Sequence, residues 1–349
     1  MKSGDFYWTF FHRFGGCNMQ GFGEIIGHDS IIQHLQNAIA AHKVSHAYIF
    51  HGEEGMGKKL LASNFAKTLQ CEEHGIIACD HCKSCLQSKS SNQPDIIWLT
   101  HEKVSISVED IRLQINADIL VKPYQSPYKI YIIDDADKMT EQAQNALLKT
   151  MEEPPEYAII ILLVTNINLI LPTIQSRGVT LNLKPVDKQE IKEYLMEQHK
   201  LPDYIAEVSA AFSGGNVGKA IKYASSEEFE QTRSNVLHIL KYIEEMELHE
   251  VVSGLKTLSA SKNNIEDYID LMMLWYRDVL MFKATMDPDL ILYREELTYI
   301  RNQARTRSYE GVEKIISAME KAKIRLKANV NFDIAIELML LTIKENSNG

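Results

Sequence analysis

The alternation of short, nearly all-apolar runs with helical patterns constrains the fold of this chain more than any other feature. The run Ala158–Val164 (AIIILLV) holds no polar residue, which is typical of a strand buried on both faces of a sheet. Two similar runs, Ala47–Phe50 and Lys129–Ile133, each lead into a segment with helical spacing of its apolar residues. This alternation predicts a parallel sheet covered by helices, which is an α/β fold.

Capping residues mark two helices of this region. Ser107 precedes a helical pattern over 108–120, and Thr140 precedes one over 141–153 that Pro154 and Pro155 stop. We therefore expect an α/β domain over 21–183.

The pattern changes after Pro185, and the remaining chain predicts helices with almost no strand. Short helical segments precede long amphipathic ones, over 188–200, 204–212 and 217–224 and then about 236–248, 265–284, 309–328 and 332–345. We expect a small helical domain over 184–245 and a second helical domain over 246–349. Residues 1–20 read as an extension with Met19 as the true start, or as a genuine N-terminal arm.

Charge and hydropathy exclude several classes of function. The chain has 349 residues and a net charge of −10, so on average it repels nucleic acid phosphates and protein partners are favoured. No stretch approaches the roughly 18 apolar residues of a membrane helix, and no signal peptide is recognisable. We expect a protein of the reducing cytoplasm.

A glycine-rich turn follows the first strand and opens a helix. His51–Lys59 (HGEEGMGKK) fits the phosphate-loop pattern G-x-x-x-x-G-K-[ST] except at its last position. The ammonium of Lys58 and the backbone N–H groups around the three loop glycines suit the phosphates of ATP. These glycines are Gly52, Gly55 and Gly57. Lys59 replaces the hydroxyl that would bind Mg²⁺, and a structural turn that binds nothing is the alternative.

Acidic and polar residues end the later strands. Asp134 and Asp135 follow Lys129–Ile133, where Asp134 could hold the magnesium. Asp135 could orient the attacking water, although its side chain is one methylene shorter than that of a glutamate, so we expect slow hydrolysis at best. Thr165 and Asn166 follow Ala158–Val164 and could reach a γ-phosphate. Two acids that only cap the next helix are the alternative.

Four cysteines lie within fifteen residues at Cys71, Cys79, Cys82 and Cys85. Their number and spacing favour a closed, structural Zn²⁺ site in a reducing compartment. An iron–sulfur cluster and unligated thiols remain as alternatives.

Taken in order, several segments resemble the clamp-loader branch of the AAA+ family over residues 22–224. They are HAYIFHGEEGMGKK, C…CxxCxxC, KIYIIDDADKMTEQAQNALLKTMEEPP and LPTIQSR. The resemblance implies an AAA+ domain with a zinc knuckle over 71–85, a helical lid over 184–245 and a collar over 246–349.

The resemblance also assigns roles to particular residues. Ser176 and Arg177 match the family's Ser-Arg-Cys motif, whose arginine completes the ATP site of a neighbouring subunit, while Gly178 replaces the cysteine. Gly218 stands where the lid arginine would be. Lys59, Asp135 and Gly218 therefore imply little ATPase activity in this chain.

The implied function is that of a non-motor subunit in the DNA polymerase III holoenzyme, a DNA-directed DNA polymerase. Its partners would be the gamma/tau and delta subunits, with the sliding clamp and primed-template DNA reached through the complex. Two alternatives remain: an active ATPase motor of the same loader, and a stand-alone zinc-knuckle DNA binder, against which the net charge argues.

Overall fold

The computed structural model describes residues 21–100, 105–243, 245–247, 249, 265–328 and 330–346. The expected extension 1–20 lies outside them. Contacts divide the chain into two compact units: residues up to Glu190 together with Asn216–Gly218, and Ile191–Gly215 together with the residues from Lys219 onward. The finer division into lid and collar stays a prediction.

A five-stranded parallel sheet forms the centre of the first unit. Its strands are β1 (Ala47–His51), β2 (Ile96–Trp98), β3 (Lys129–Ile133), β4 (Ala158–Val164) and β5 (Val179–Asn182), in the order β2-β3-β4-β1-β5. Its helices are α1 (Asp29–Ala40), α2 (Lys58–Leu69), α3 (Lys83–Lys89), α4 (Val108–Ile111), α5 (Glu141–Glu152) and α6 (Pro172–Gln175). The prediction of an α/β fold is confirmed.

Apolar residues fill both faces of this sheet, as the composition of β4 requires. Ile159 and Ile161 face a core that includes Phe65 of α2, whereas Ile160 and Leu162 face a core that includes Leu147 of α5. Alternate residues of a strand point to opposite faces. Only a strand covered on both sides can be apolar at every position.

Both predicted helix caps are confirmed. Ser107 and Asp110 form a reciprocal capping box, and Thr140 accepts a hydrogen bond from the backbone N–H of Ala143. The prediction of one regular α-helix over 108–120 is wrong. The α-helix α4 ends at Ile111 and is followed by a π-helical segment, Arg112–Asn116. The wider π turn preserves apolar spacing closely enough that the sequence pattern does not reveal it.

The described part of the second unit is helical. Its helices are α7 (Lys188–Gln198), α8 (Asp203–Phe212), α9 (Val217–Ser225), α10 (Glu227–Tyr242), α11 (Ile265–Thr285), α12 (Leu297–Thr306), α13 (Tyr309–Lys327) and α14 (Phe332–Glu345). Two of these helices, α7 and α9, begin with residues of the first unit. Trp275 and Tyr276 of α11 are fully buried in its core. Among the described residues, no helix has the length and apolar character needed to cross a bilayer.

One helix of this unit differs from its predicted bounds of 236–248. The observed α10 begins at Glu227, where the hydroxyl of Ser226 accepts a hydrogen bond from the N–H of Phe229, and it ends at Tyr242. The first turns of α10 are mostly polar, so periodicity alone placed the start too late.

Candidate nucleotide site and metal centre

Strand register brings the phosphate loop and the acidic residues to one edge of the sheet. His51 pairs with Val164 in the β1–β4 ladder, and Ile133 pairs with Leu162 in the β3–β4 ladder. Because the strands are parallel, the residues that follow them meet at their common carboxyl edge. The N–H of Gly52 also donates to the carbonyl of Val164 at 3.1 Å, which holds the loop against β4.

The phosphate loop has the backbone conformation that its glycines allow. Gly55 and Gly57 have φ values of +87° and +92°, in the region that favours glycine. The buried ammonium of Lys58 donates to the carbonyl oxygens of Gly52 and Glu53 at 2.5 and 2.9 Å. The loop's own carbonyls therefore hold the ammonium that phosphate oxygens would otherwise attract.

Burial also affects the charge of Lys58. Loss of hydration lowers the pKa of this ammonium, while the carboxylates of Asp137, Asp135 and Asp134 oppose that effect. The hydroxyl of Thr165, at the end of β4, accepts a further hydrogen bond from Lys58 at 3.3 Å. The loop lysine and the β4 terminus thus form one polar cluster.

Lys59 is paired with the first acidic residue after β3. Its Nζ lies 2.6 Å from Oδ2 of Asp134, and this hydrogen bond raises the pKa of Lys59. The ammonium of Lys59 therefore contacts the carboxylate that the sequence analysis proposed as a magnesium ligand. Lys59 is also the position where a hydroxyl ligand was expected.

The other two acids of this turn have different partners. Asp135 has a left-handed backbone (φ 47°), and its carboxylate accepts a hydrogen bond from Lys138 at 2.7 Å, which lowers the pKa of Asp135. Asp137 accepts a hydrogen bond from the N–H of Asn166 at 3.2 Å, so it connects the acidic turn to the end of β4. Among the described residues, its buried Oδ1 has no hydrogen-bond partner.

A short segment of the first unit, Asn216–Gly218, contacts the phosphate loop. The side-chain amide of Asn216 donates to the carbonyl of Glu54 at 2.7 Å, and the N–H of Gly218 donates to the carbonyl of Gly55 at 2.9 Å. A Cβ at position 218 would lie 2.7 Å from Cα and O of Gly55. This close approach leaves no room for a side chain at position 218, where the resemblance implied an arginine. Sequence reasoning did not find Asn216, because no motif signals the contact.

A cavity of about 310 Å³ lies beside the loop, lined by Gly27–Ile31 and by residues between Asn182 and Glu190. His28 lines this cavity and also contacts the phosphate loop, because its Nε2 lies 3.1 Å from the carbonyl oxygen of Met56. Burial lowers the pKa of His28. No motif in the sequence indicated this cavity.

Arg177 lies on the turn between α6 and β5 and is about one-third exposed. Its Nη2 lies 2.8 Å from Oε1 of Glu152, and its Nη1 donates to the carbonyl of Thr173 at 2.9 Å. The hydroxyl of Ser176 donates to the same carbonyl at 3.0 Å. Arg177, the arginine predicted to act on a neighbouring subunit, is thus partly accessible, and Glu152 and Thr173 hold its guanidinium.

The four cysteines come together in three dimensions. All four sulfur atoms lie within 4.8 Å of one another, and those of Cys79 and Cys85 are 3.9 Å apart. Thiolates bound tetrahedrally to Zn²⁺ at about 2.3 Å would lie about 3.8 Å apart, so the cluster fits the ion. Burial raises the pKa of the Cys71 and Cys85 thiols, and a bound cation would favour their thiolates.

Backbone contacts hold this knuckle in shape. The N–H groups of Cys79, Cys82 and Cys85 point at the sulfur atoms of Cys71, Cys79 and Cys82, at 3.3 to 3.4 Å. Nearby, the imidazole of His81 contacts Glu73 and the carbonyl of Cys79. The four sulfur atoms form a complete set of ligands without the imidazole.

The sheet order and the loop after β1 define the class: this is a P-loop protein of the AAA+ type. A family model described as DNA polymerase III, delta subunit, matches residues 27–187. The DNA polymerase III subunit delta-prime of Bacillus subtilis is 30% identical over 318 residues, which cover 90% of this chain and 95% of that protein. The chain therefore belongs to the delta-prime family of bacterial DNA polymerase III clamp-loader subunits.

Further matches include tau and tau/gamma subunits of DNA polymerase III. The tau subunit of B. subtilis is 28% identical, and the match covers 91% of this chain and 61% of that protein. The tau/gamma subunit of Haemophilus influenzae is 34% identical, and the match covers 52% of this chain and 27% of that protein. A gamma-subunit-related protein of Thermotoga maritima superimposes with a TM-score of 0.40 at 19% identity, covering 91% of this chain and 99% of that one.

Proposed function

We propose that this chain is a non-motor subunit of a cytoplasmic DNA polymerase III clamp loader and contributes Arg177 to the ATP site of a neighbouring gamma/tau-type subunit. The contact between Lys59 and Asp134 carries the proposal, because a lysine ammonium takes the place of a magnesium ligand. A chain that binds Mg²⁺ poorly in its own loop can still serve the ATP site of a neighbour. The delta subunit, the sliding clamp and primed-template DNA complete the set of proposed partners.

Arg177 suits a role between subunits. An arginine beside a transferring phosphoryl group stabilises developing charge and contributes about 10³ to 10⁵ in rate in well-studied cases. The guanidinium is partly exposed and follows a short helix, so a neighbouring subunit can approach it. Ser176, which caps that helix, would support the turn.

The deciding experiment reconstitutes the loader with gamma/tau and delta subunits and measures ATP turnover and clamp loading on primed DNA. Arg177→Ala is expected to lower both at least about tenfold while the complex still assembles. Lys149→Ala, which removes an exposed cation from α5, is the control. Unchanged turnover with Arg177→Ala would exclude the trans role.

A second candidate is an ATP-hydrolysing motor subunit of the same loader. The observation that favours it is the intact loop conformation at Gly55 and Gly57, with Lys58 in place. ATP turnover by the isolated chain that disappears in Lys58→Ala would support this candidate.

We further infer that the four-cysteine cluster binds structural Zn²⁺. The close approach of the sulfur atoms supports a tetrahedral site, and four protein ligands leave no open position for catalysis. Asp80 would connect the knuckle to the domain, because it contacts Lys67 at 2.5 Å and accepts the N–H of Gly21. In the same proposal, residues 184–245 form the lid and 246–349 the collar.

A further inference from the structure

The guanidinium of Arg177 is held from two directions. Its own short helix provides the carbonyl of Thr173, and the end of α5 provides the carboxylate of Glu152, 25 residues earlier in the chain. A guanidinium has five N–H donors in one plane. With one N–H of Nη1 and one of Nη2 engaged, the remaining donors are directed away from these two acceptors.

The position of Glu152 is unfavourable for a carboxylate unless it has a partner. Glu152 is the last residue of α5, and negative charge at a helix C-terminus opposes the helix dipole. Pro154 and Pro155 follow closely and restrict the backbone there. The carboxylate is therefore presented from a fixed point.

Solvent exposure makes a mainly stabilising role a poor explanation for this ion pair. The side chains of Arg177 and Glu152 are 35% and 48% exposed, and ion pairs of this kind contribute little to folding. The contact does, however, restrict a long side chain that would otherwise sample many rotamers. Its main consequence is the direction in which the guanidinium points.

We propose that Glu152 is a positioning residue for Arg177, which orients the guanidinium towards a phosphate bound by a neighbouring subunit. The inference rests on the proposed trans role of Arg177. A pre-oriented guanidinium meets the developing charge without first losing rotamer freedom, so the effect belongs in the chemical step. Glu152 itself would not touch the nucleotide.

The test uses the reconstituted loader and a double-mutant cycle. Glu152→Ala is expected to lower kcat for ATP about tenfold with little change in KM. This loss is smaller than the roughly hundredfold loss in rate that a 1 Å misplacement of a reacting group can cause. Glu152→Gln should recover part of the loss, because its amide oxygen still accepts a hydrogen bond. In an Arg177→Ala background, Glu152→Ala should have no further effect.

Glu153→Ala is the matched control, since it removes the adjacent carboxylate from the same helix end. No ion pair of Glu153 is seen among the described residues. If Arg177→Ala lowers kcat and Glu152→Ala does not, the positioning role is wrong and the trans role stands. If Glu152→Ala lowers kcat equally in the wild-type and Arg177→Ala backgrounds, the positioning role is also wrong. If Arg177→Ala has no effect on kcat, the proposed function itself fails.

Discussion

Lys59 Nζ and Asp134 Oδ2 lie 2.6 Å apart at the carboxyl edge of the sheet. Lys59 lies in the first turn of α2, and Asp134 directly follows β3, so the contact spans the gap between the phosphate loop and the acidic turn. In a P-loop site a magnesium ion lies between a hydroxyl and an acidic residue at these positions. Here one side chain replaces both the hydroxyl and the ion's positive charge.

Restoring the hydroxyl should restore metal-dependent nucleotide binding. Lys59→Thr frees Asp134 and adds the missing ligand, so we expect the affinity of the isolated chain for MgATP to rise at least about tenfold. Equilibrium titration with and without Mg²⁺ measures this effect. The gain should require the metal.

Lys59→Ala separates the two contributions, because it frees Asp134 without adding a hydroxyl. Its MgATP affinity should lie between those of the wild type and Lys59→Thr. Equal affinities for all three proteins would show that the ion pair does not control the site. Stability should change little, because Lys59 is mostly exposed.

Gly218 should not tolerate a side chain. Gly218→Ala places a Cβ 2.7 Å from Gly55 backbone atoms, so we expect the free energy of unfolding to fall by about 1 to 3 kcal/mol. Denaturant titration measures the change. Gly311→Ala is the control, since that glycine also lies in the first turn of a helix but a Cβ there would come no closer than 3.1 Å, to the Ser308 hydroxyl. Equal losses in the two variants would contradict the argument.

Metal analysis should find one zinc ion per chain. Cys85→Ser removes a buried ligand, so zinc content should fall sharply and the unfolding midpoint with it. Cys17→Ser should retain the full zinc content, because this cysteine is outside the predicted ligand set. Iron with sulfide and a visible absorption band would instead identify an iron–sulfur cluster.

The pH dependence of stability should contain a contribution from His28. Burial lowers the pKa of His28 in the folded state below its unfolded value of about 6.5, so the unfolded chain binds more protons near that pH. Stability is therefore present at higher pH and is lost as pH falls through about 6.5 towards the folded-state pKa. His28 has a left-handed backbone with a φ of 59°, which asparagine adopts readily. The His28→Asn variant should therefore lose less stability than the wild type between about pH 7.5 and pH 5.5. Parallel curves for the two proteins would show that His28 does not contribute.

The sequence predicted the sheet and the position of the candidate site because both depend on local patterns. The apolar run of β4 and the glycine spacing after β1 leave few alternatives. The cap at Thr140 was equally local. The four cysteines were grouped correctly, since only fifteen residues contain them.

The side-chain partners could not be predicted, because they depend on long-range packing. Lys59 meets Asp134 only because β4 alone separates β1 from β3 in the sheet. Glu152 meets Arg177 only because of how α5 and α6 lie on the same face of that sheet. No spacing in the sequence encodes either distance, and the role of each predicted site residue stays a prediction.

Helix α5 connects two of these regions directly. It begins after Thr140, three residues beyond Asp137, and ends at Glu152, which holds Arg177. Twelve helical residues form a stiff rod of about 18 Å. The two ends of this rod keep a nearly fixed separation, so a single rigid element places both the entry to the acidic turn and the carboxylate that holds the arginine.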